Sequence, residues 1–155
     1  MGCARSGPEA YSNRRQLEAL SLRVRLVGDE NGETKPDCVL LDKTGELRRW
    51  YAIATVAFVG KSLNSHGGQN PVEPIAAGVP VIFGPHMENF AALADALVAN
   101  NAAIQVNDED ELSRAADKLL ADAAARQSLV QNAGQVLAQH RGATGRTARF
   151  IVDLK

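Results

Sequence analysis

A polar, glycine-rich loop at residues 62–74 (SLNSHGGQNPVEP) holds the side chains of this sequence best suited to bind a ligand. Gly67 and Gly68 let backbone N–H groups approach a bound molecule closely. The proline that follows suits the first turn of a helix, where free N–H groups favour an anion. Glu73 in that turn can instead accept hydrogen bonds from sugar hydroxyls, and Asn70 can cap the helix or contact a ligand. The run is longer than capping alone requires, so we interpret it as a binding site.

Other chemistry finds less support in the sequence. The run GKS at residues 60–62 suggests a phosphate loop, but that motif needs a glycine where Thr55 stands. His66 and His86 fall in ligand-side loops, yet their spacing is not that of metal ligands, and a lone loop histidine is more often a polar surface residue. The sequence therefore predicts no metal site and no catalytic triad.

The bulk composition is that of a globular protein. The chain has 155 residues, of which 45% are hydrophobic and 23% charged, with a net charge of −1. No basic surplus indicates nucleic acid as a partner. Cys3 and Cys38 form no CxxC pair, so a zinc or redox motif is not indicated. No apolar run approaches the roughly 20 residues of a membrane-spanning helix.

Apolar runs alternate with helical periodicity along most of the chain, which predicts an α/β domain with a mainly parallel sheet and three layers. Strands are expected near residues 22–27, 38–41, 56–60, 79–83 and 102–106. Amphipathic helices are expected near residues 11–20, 44–54, 71–77 and 89–100, after Asp108, after Asp122, and at 143–154, with Val98 and Leu120 among the inward side chains. Ligands of such sheets lie at the carboxyl ends of strands. That rule selects the loops at residues 60–70 and 84–88.

The run FVGKSLNSHGGQNPVEPIAAGVPVIFGPHMENF, residues 58–90, resembles the 3-deoxy-D-manno-octulosonic acid (Kdo) transferases of lipopolysaccharide assembly. Their pattern is a strand, GGS, a loop, GGHNPLEP, a helix and then G-PV-FGPH-NF. Residues 42–47 resemble their DTMGEL segment, and residues 140–143 also fit. The resemblance covers about residues 22–154, and its central motif is long and specific.

The resemblance implies the C-terminal, Rossmann-like half of a GT-B glycosyltransferase, and we expect its first strand to be missing here. Residues 1–20 would be a boundary segment with a partial first helix, and residues 21–155 the nucleotide-sugar-binding domain. The expected donor is CMP-Kdo and the expected acceptor a lipid A precursor, at the cytoplasmic face of the bacterial inner membrane. No cofactor or metal is expected. The catalytic base belongs to the other domain, so the chain by itself would be a soluble fragment with no catalytic residue and no transferase activity.

The matching motifs allow the family's site residues to be assigned to positions of this chain. The resemblance places Asn70 and Glu73 at the ribose and phosphate, Thr44, Gly45 and Glu46 near the cytosine, and Ser62, Gly67 and Gly68 at the phosphate and Kdo. Three segments depart from the family pattern. Lys61 replaces the second glycine of GGS, Lys43 and Thr44 replace Thr-Met, and the basic PRHPER stretch survives at best as residues 5–9.

Two alternatives remain open at this point. One is the donor domain of another GT-B enzyme that uses a uridine nucleotide sugar. The other is a stand-alone module that binds a nucleotide or an anion without catalysis. A comparison of CMP, UMP and UDP binding distinguishes the first alternative from a Kdo transferase.

Overall fold

A computed structural model describes the backbone of residues 8–29, 35–42 and 45–140. The chain divides into two compact units, Met1–Ile53 and Ala54–Lys155. The helix predicted at residues 143–154 lies outside the described residues. The predicted boundary between residues 20 and 21 stays a prediction.

The first unit is built on a pair of short parallel strands. Its elements are α1 (Pro8–Ala19), β1 (Val24–Leu26), β2 (Cys38–Leu40) and α2 (Leu47–Tyr51). Val24, Leu26 and Leu40 form its buried core, and Leu17 of α1 packs against them. In β1 the apolar residues Val24 and Leu26 are buried and the arginine between them is not, as the alternating sequence predicts for a strand with one buried face.

The second unit has a three-stranded parallel sheet in the order β3-β4-β5. Its elements are β3 (Ala57–Phe58), α3 (Val72–Ala76), β4 (Val81–Phe83), a 3-10 turn (Glu88–Phe90), α4 (Ala91–Ala99), β5 (Ile104–Gln105), α5 (Glu109–Ala121) and α6 (Ala123–His140). Each strand is followed by a loop at its carboxyl end. This arrangement brings the loops after β3 and β4 to the same edge of the sheet.

The central strand β4 explains the three layers of this unit. Val81 and Phe83 are buried in a cluster with side chains of α3, α4 and α6, whereas Ile82 is buried in another cluster with side chains of α5 and α6. Successive strand residues point to opposite faces, so a strand covered on both faces must be apolar throughout. The VPVIFG run meets that requirement.

The predicted α/β fold with parallel strands is confirmed, with two differences in detail. The strand pairs lie in two sheets, one in each unit, rather than in one. Val98 and Leu120, predicted to face the core, are 39% and 56% exposed. Each directly follows a fully buried leucine, Leu97 or Leu119. One residue along a helix turns the side chain by about 100°, which carries it out of a narrow apolar stripe.

Candidate functional site

Ser62 links the loop after β3 to the loop after β4 through hydrogen bonds. Its hydroxyl donates to the carbonyl oxygen of Val59 at 2.5 Å and accepts from the backbone N–H of Gly84 at 2.8 Å. The Ser62 carbonyl accepts from the N–H of His86 at 2.9 Å. The side chain is completely buried. Its hydrogen bonds therefore position the loop, and its predicted contact with phosphate or Kdo stays a prediction.

Glycines allow these two loops to touch. A Cβ on Gly84 would lie 2.2 Å from the Ser62 carbonyl oxygen, and one on Gly68 would lie 2.5 Å from the Met87 sulfur. Gly67 and Gly68 also have φ values of +97° and +55°, which L side chains rarely adopt. The double glycine of the sequence motif thus serves backbone contact between the loops.

A cluster of His66, His86 and Glu88 lies across the two loops. The Nδ1 atoms of both histidines are 3.2 Å from Oε1 of Glu88, and Oε2 accepts from the backbone N–H of Gly67 at 2.7 Å. The two imidazole rings meet edge to face, with centroids 4.6 Å apart. Hydrogen bonds from its own backbone N–H and from that of Gly67, and then those from the histidines, lower the pKa of Glu88 to about 2.

Sequence reasoning missed this cluster. It assigned the Gly67 N–H to a ligand, whereas in the structure that group donates to Glu88. His86 and Glu88 are two residues apart, a spacing that could have drawn attention to them, but His66 is distant in sequence and joins them only through the strand order. Binding of an anion by the Gly67 amide would require Glu88 to release it, and this assignment stays a prediction.

Asn70 and Glu73 lie at the start of α3. The side-chain oxygen of Asn70 accepts from the backbone N–H of Val72 at 2.9 Å, which leaves its amino group for a ligand. Glu73 is exposed and lies in the first turn. Among the described residues its carboxylate has no hydrogen bond or ion pair. Because α3 has only five residues, its dipole is a weaker attraction for an anion than the sequence pattern suggests.

Lys61 adopts a left-handed backbone conformation, with φ of +63°. That region normally costs a residue with a side chain about 1–2 kcal/mol, a cost that glycine avoids. The exposed Lys61 borders an open groove of about 470 Å³ together with Phe58, Leu63 and Leu112.

The predicted cytosine contacts belong to the first unit. Gly45 has φ of +88°, and a Cβ there would meet no atom within 4 Å. Glu46 precedes α2 and makes no capping hydrogen bond with its side chain. Thr44 lies outside the described residues. The assignment of all three to a nucleobase stays a prediction.

Comparison with known proteins identifies the family. The model of the family described as Glycosyl transferases group 1 matches residues 32–136, more than half of the chain. The chain belongs to the group 1 glycosyl transferases. This group 1 glycosyl transferase is similar to a 3-deoxy-D-manno-octulosonic acid transferase of Bordetella pertussis, with 41% identity over 89% of the chain and 33% of the relative. It is also similar to one of Haemophilus influenzae, with 42% identity over 79% of the chain and 29% of the relative.

A solved structure agrees with these matches. The chain is similar to the C-terminal CMP-Kdo binding domain of WaaA from Acinetobacter baumannii, with a TM-score of 0.77 and 30% identity over 84% of the chain and 69% of that domain. The resemblance to Kdo transferases that the sequence motifs indicate is therefore confirmed for this group 1 glycosyl transferase. The chain spans about a third of the length of the curated relatives it matches.

In the part of the chain that the structure describes, no helix combines the length and the apolar character needed to cross a bilayer.

Proposed function

We propose that the chain is the donor-binding half of a Kdo transferase and that it binds CMP-Kdo at the loop of residues 62–73. The main support is the similarity, at a TM-score of 0.77, to a domain named for CMP-Kdo binding. Glu73 supplies an exposed carboxylate without a partner in the described structure, which suits it to accept hydrogen bonds from ribose hydroxyls. Asn70 offers its amino group beside it. We expect the binding of CMP-Kdo itself to need no cofactor.

The proposal is tested by nuclear magnetic resonance titration of the chain with CMP. The amides of Gly67, Gly68, Asn70 and Glu73 should shift most strongly, because the loop backbone faces the ligand in this proposal. UMP and UDP serve as comparisons. Tighter binding of a uridine nucleotide would favour another GT-B donor, and largest shifts on α5 and α6 would contradict the site.

A carboxylate variant measures the ribose contact. Glu73→Ala should weaken CMP binding by about 1–3 kcal/mol if the carboxylate accepts a hydrogen bond from a hydroxyl. Asp117→Ala is the matched control, because it removes an equal charge from an exposed position far along α5. That helix begins after the carboxyl end of β5, and Asp117 lies about two turns beyond its start, so the control should bind CMP as the unaltered chain does. Equal affinities for the two variants would contradict the role of Glu73.

For the whole protein we propose transfer of Kdo to a lipid A precursor at the cytoplasmic face of the bacterial inner membrane. The names of the curated relatives support the transferase activity, and the chain spans only about a third of those relatives. The base and the acceptor site are proposed to lie in the other domain. A positioned base contributes about a hundred- to ten-thousand-fold, and orientation of the reactants adds more.

The chain alone should therefore transfer no Kdo. The assay supplies CMP-Kdo and a lipid A precursor to the isolated chain and measures the acceptor-dependent product. Turnover above background that is lost on replacing Glu46 or Glu73 would show that this chain carries the catalytic half.

A further inference from the structure

The cluster of His66, His86 and Glu88 has the composition and geometry of a transition-metal site. Two imidazole nitrogens and one carboxylate oxygen are ligands that zinc accepts, and all three atoms lie within 4.8 Å of one another. We infer that these three residues bind a divalent metal ion of the zinc class, which joins the loop after β3 to the loop after β4.

The separations of the atoms support this inference. Each histidine Nδ1 is 3.2 Å from Oε1 of Glu88. Two ligand atoms bound to a tetrahedral zinc ion are about 3.3 Å apart, because the bonds are about 2.0–2.1 Å long. Both nitrogen–oxygen pairs therefore already have the spacing of ligands. The ring of His66 is 83% exposed, so it can rotate to bring its nitrogen to the required distance from that of His86.

The second oxygen of Glu88 provides the outer support that metal ligands usually have. It accepts a hydrogen bond from the Gly67 N–H at 2.7 Å, which fixes the carboxylate while Oε1 faces the histidines. The backbone of His86 is held by the Ser62 carbonyl, and Gly68 packs against the His86 carbonyl and Met87. Two of the three ligands are thus held in place before any ion arrives.

The chemistry of the ligands selects the class of ion. Imidazole favours zinc, copper and nickel over magnesium and calcium, which prefer six or more oxygen ligands. An ionised carboxylate can only accept, so each Nδ1–Oε1 hydrogen bond of the metal-free cluster requires the tautomer with its proton on Nδ1. Metal binding moves each of these protons to Nε2 or to solvent. Three protein ligands leave one tetrahedral position for water or for an oxygen of another molecule.

The test is a zinc titration of the chain, followed by calorimetry or by competition with a chromogenic chelator, in a background where Cys3 and Cys38 are replaced by serine to remove the thiols. We expect one ion per chain with a dissociation constant in the micromolar range, and no comparable binding of magnesium or calcium. His66→Ala, His86→Ala and Glu88→Gln should each weaken binding by at least about tenfold.

The third histidine of the sequence provides the matched control. His140→Ala removes an imidazole that is not one of the three proposed ligands, and it should leave zinc affinity unchanged. Cobalt substitution gives a second measurement, since a tetrahedral site with nitrogen ligands shows visible absorption that disappears in the His66→Ala variant. Absence of stoichiometric zinc binding, or zinc binding that survives both His66→Ala and His86→Ala, would overturn the inference. CMP is absent from all of these measurements, so their outcome does not depend on the proposed nucleotide site.

Discussion

Replacing Ser62 by alanine tests whether one buried hydroxyl holds the two site loops together. The change removes the donor to the Val59 carbonyl and the acceptor for the Gly84 N–H, in a position with no exposed surface. A buried polar group left without a partner costs about 1–3 kcal/mol. With two such groups, we expect the free energy of unfolding to fall by about 2–6 kcal/mol.

Urea unfolding followed by far-ultraviolet circular dichroism measures this loss. Fluorescence would not, because the one tryptophan and both tyrosines of the chain belong to the first unit. Ser65→Ala is the control, since Ser65 is exposed in the same loop and its change should stay within about 0.5 kcal/mol. Amide hydrogen exchange gives the local measurement. The Gly84 N–H should exchange at least about 30-fold faster in Ser62→Ala, which corresponds to about 2 kcal/mol.

The reasoning would be refuted if Ser62→Ala were as stable as Ser65→Ala and exchange at Gly84 were unchanged. That result would mean that water replaces the hydroxyl at no cost, and the loops would then be held by backbone contacts alone.

Three further predictions concern packing and charge. Gly84→Ala should lower the free energy of unfolding in urea by more than about 2 kcal/mol, because its Cβ meets backbone atoms. Gly134→Ala in α6 should raise it by up to about 1 kcal/mol, because a Cβ there meets no atom within 4 Å and alanine favours the helix. Leu119→Ala should cost about 2–5 kcal/mol in the same assay and Leu120→Ala less than about 1 kcal/mol, because only the first is buried. Hydrogen bonds from Arg23 lower the pKa of Asp37. The charged Asp37 carboxylate therefore stabilises the folded first unit at pH values above the ordinary aspartate pKa of about 3.9. Unfolding followed by tryptophan fluorescence should show the stability of the first unit falling as the pH drops toward the lowered pKa of Asp37. The dependence of this stability on pH should be weaker in Asp37→Asn.

Much of the fold followed from local patterns in the sequence. The uninterrupted apolar run around Ile82 requires cover on both faces of its strand, and both clusters are present. The exposure of Leu120 was not predictable from the same reasoning, because two adjacent apolar residues give no sign of which one lies on the stripe. Helix periodicity determines a face only to within about one residue, or about 100°.

The site was predicted at the level of loops rather than of contacts. The carboxyl-end rule selected both loops, and the double glycine marked the place where they meet. What could not be predicted is which polar atoms pair. The hydrogen bond from Gly67 to Glu88 and the burial of Ser62 depend on the approach of segments about twenty residues apart in sequence, which no local spacing encodes.

The hydrogen bonds of Ser62 have a consequence for motion. Because its hydroxyl and its carbonyl bond to consecutive parts of the other loop, we expect residues 62–68 and 84–88 to move together. A molecule that enters at either loop should therefore shift both, and we expect their opening to share a single rate. Relaxation-dispersion measurements should give the same exchange constant for amides in both segments, and Ser62→Ala, which removes the hydroxyl but keeps the carbonyl, should raise that shared constant.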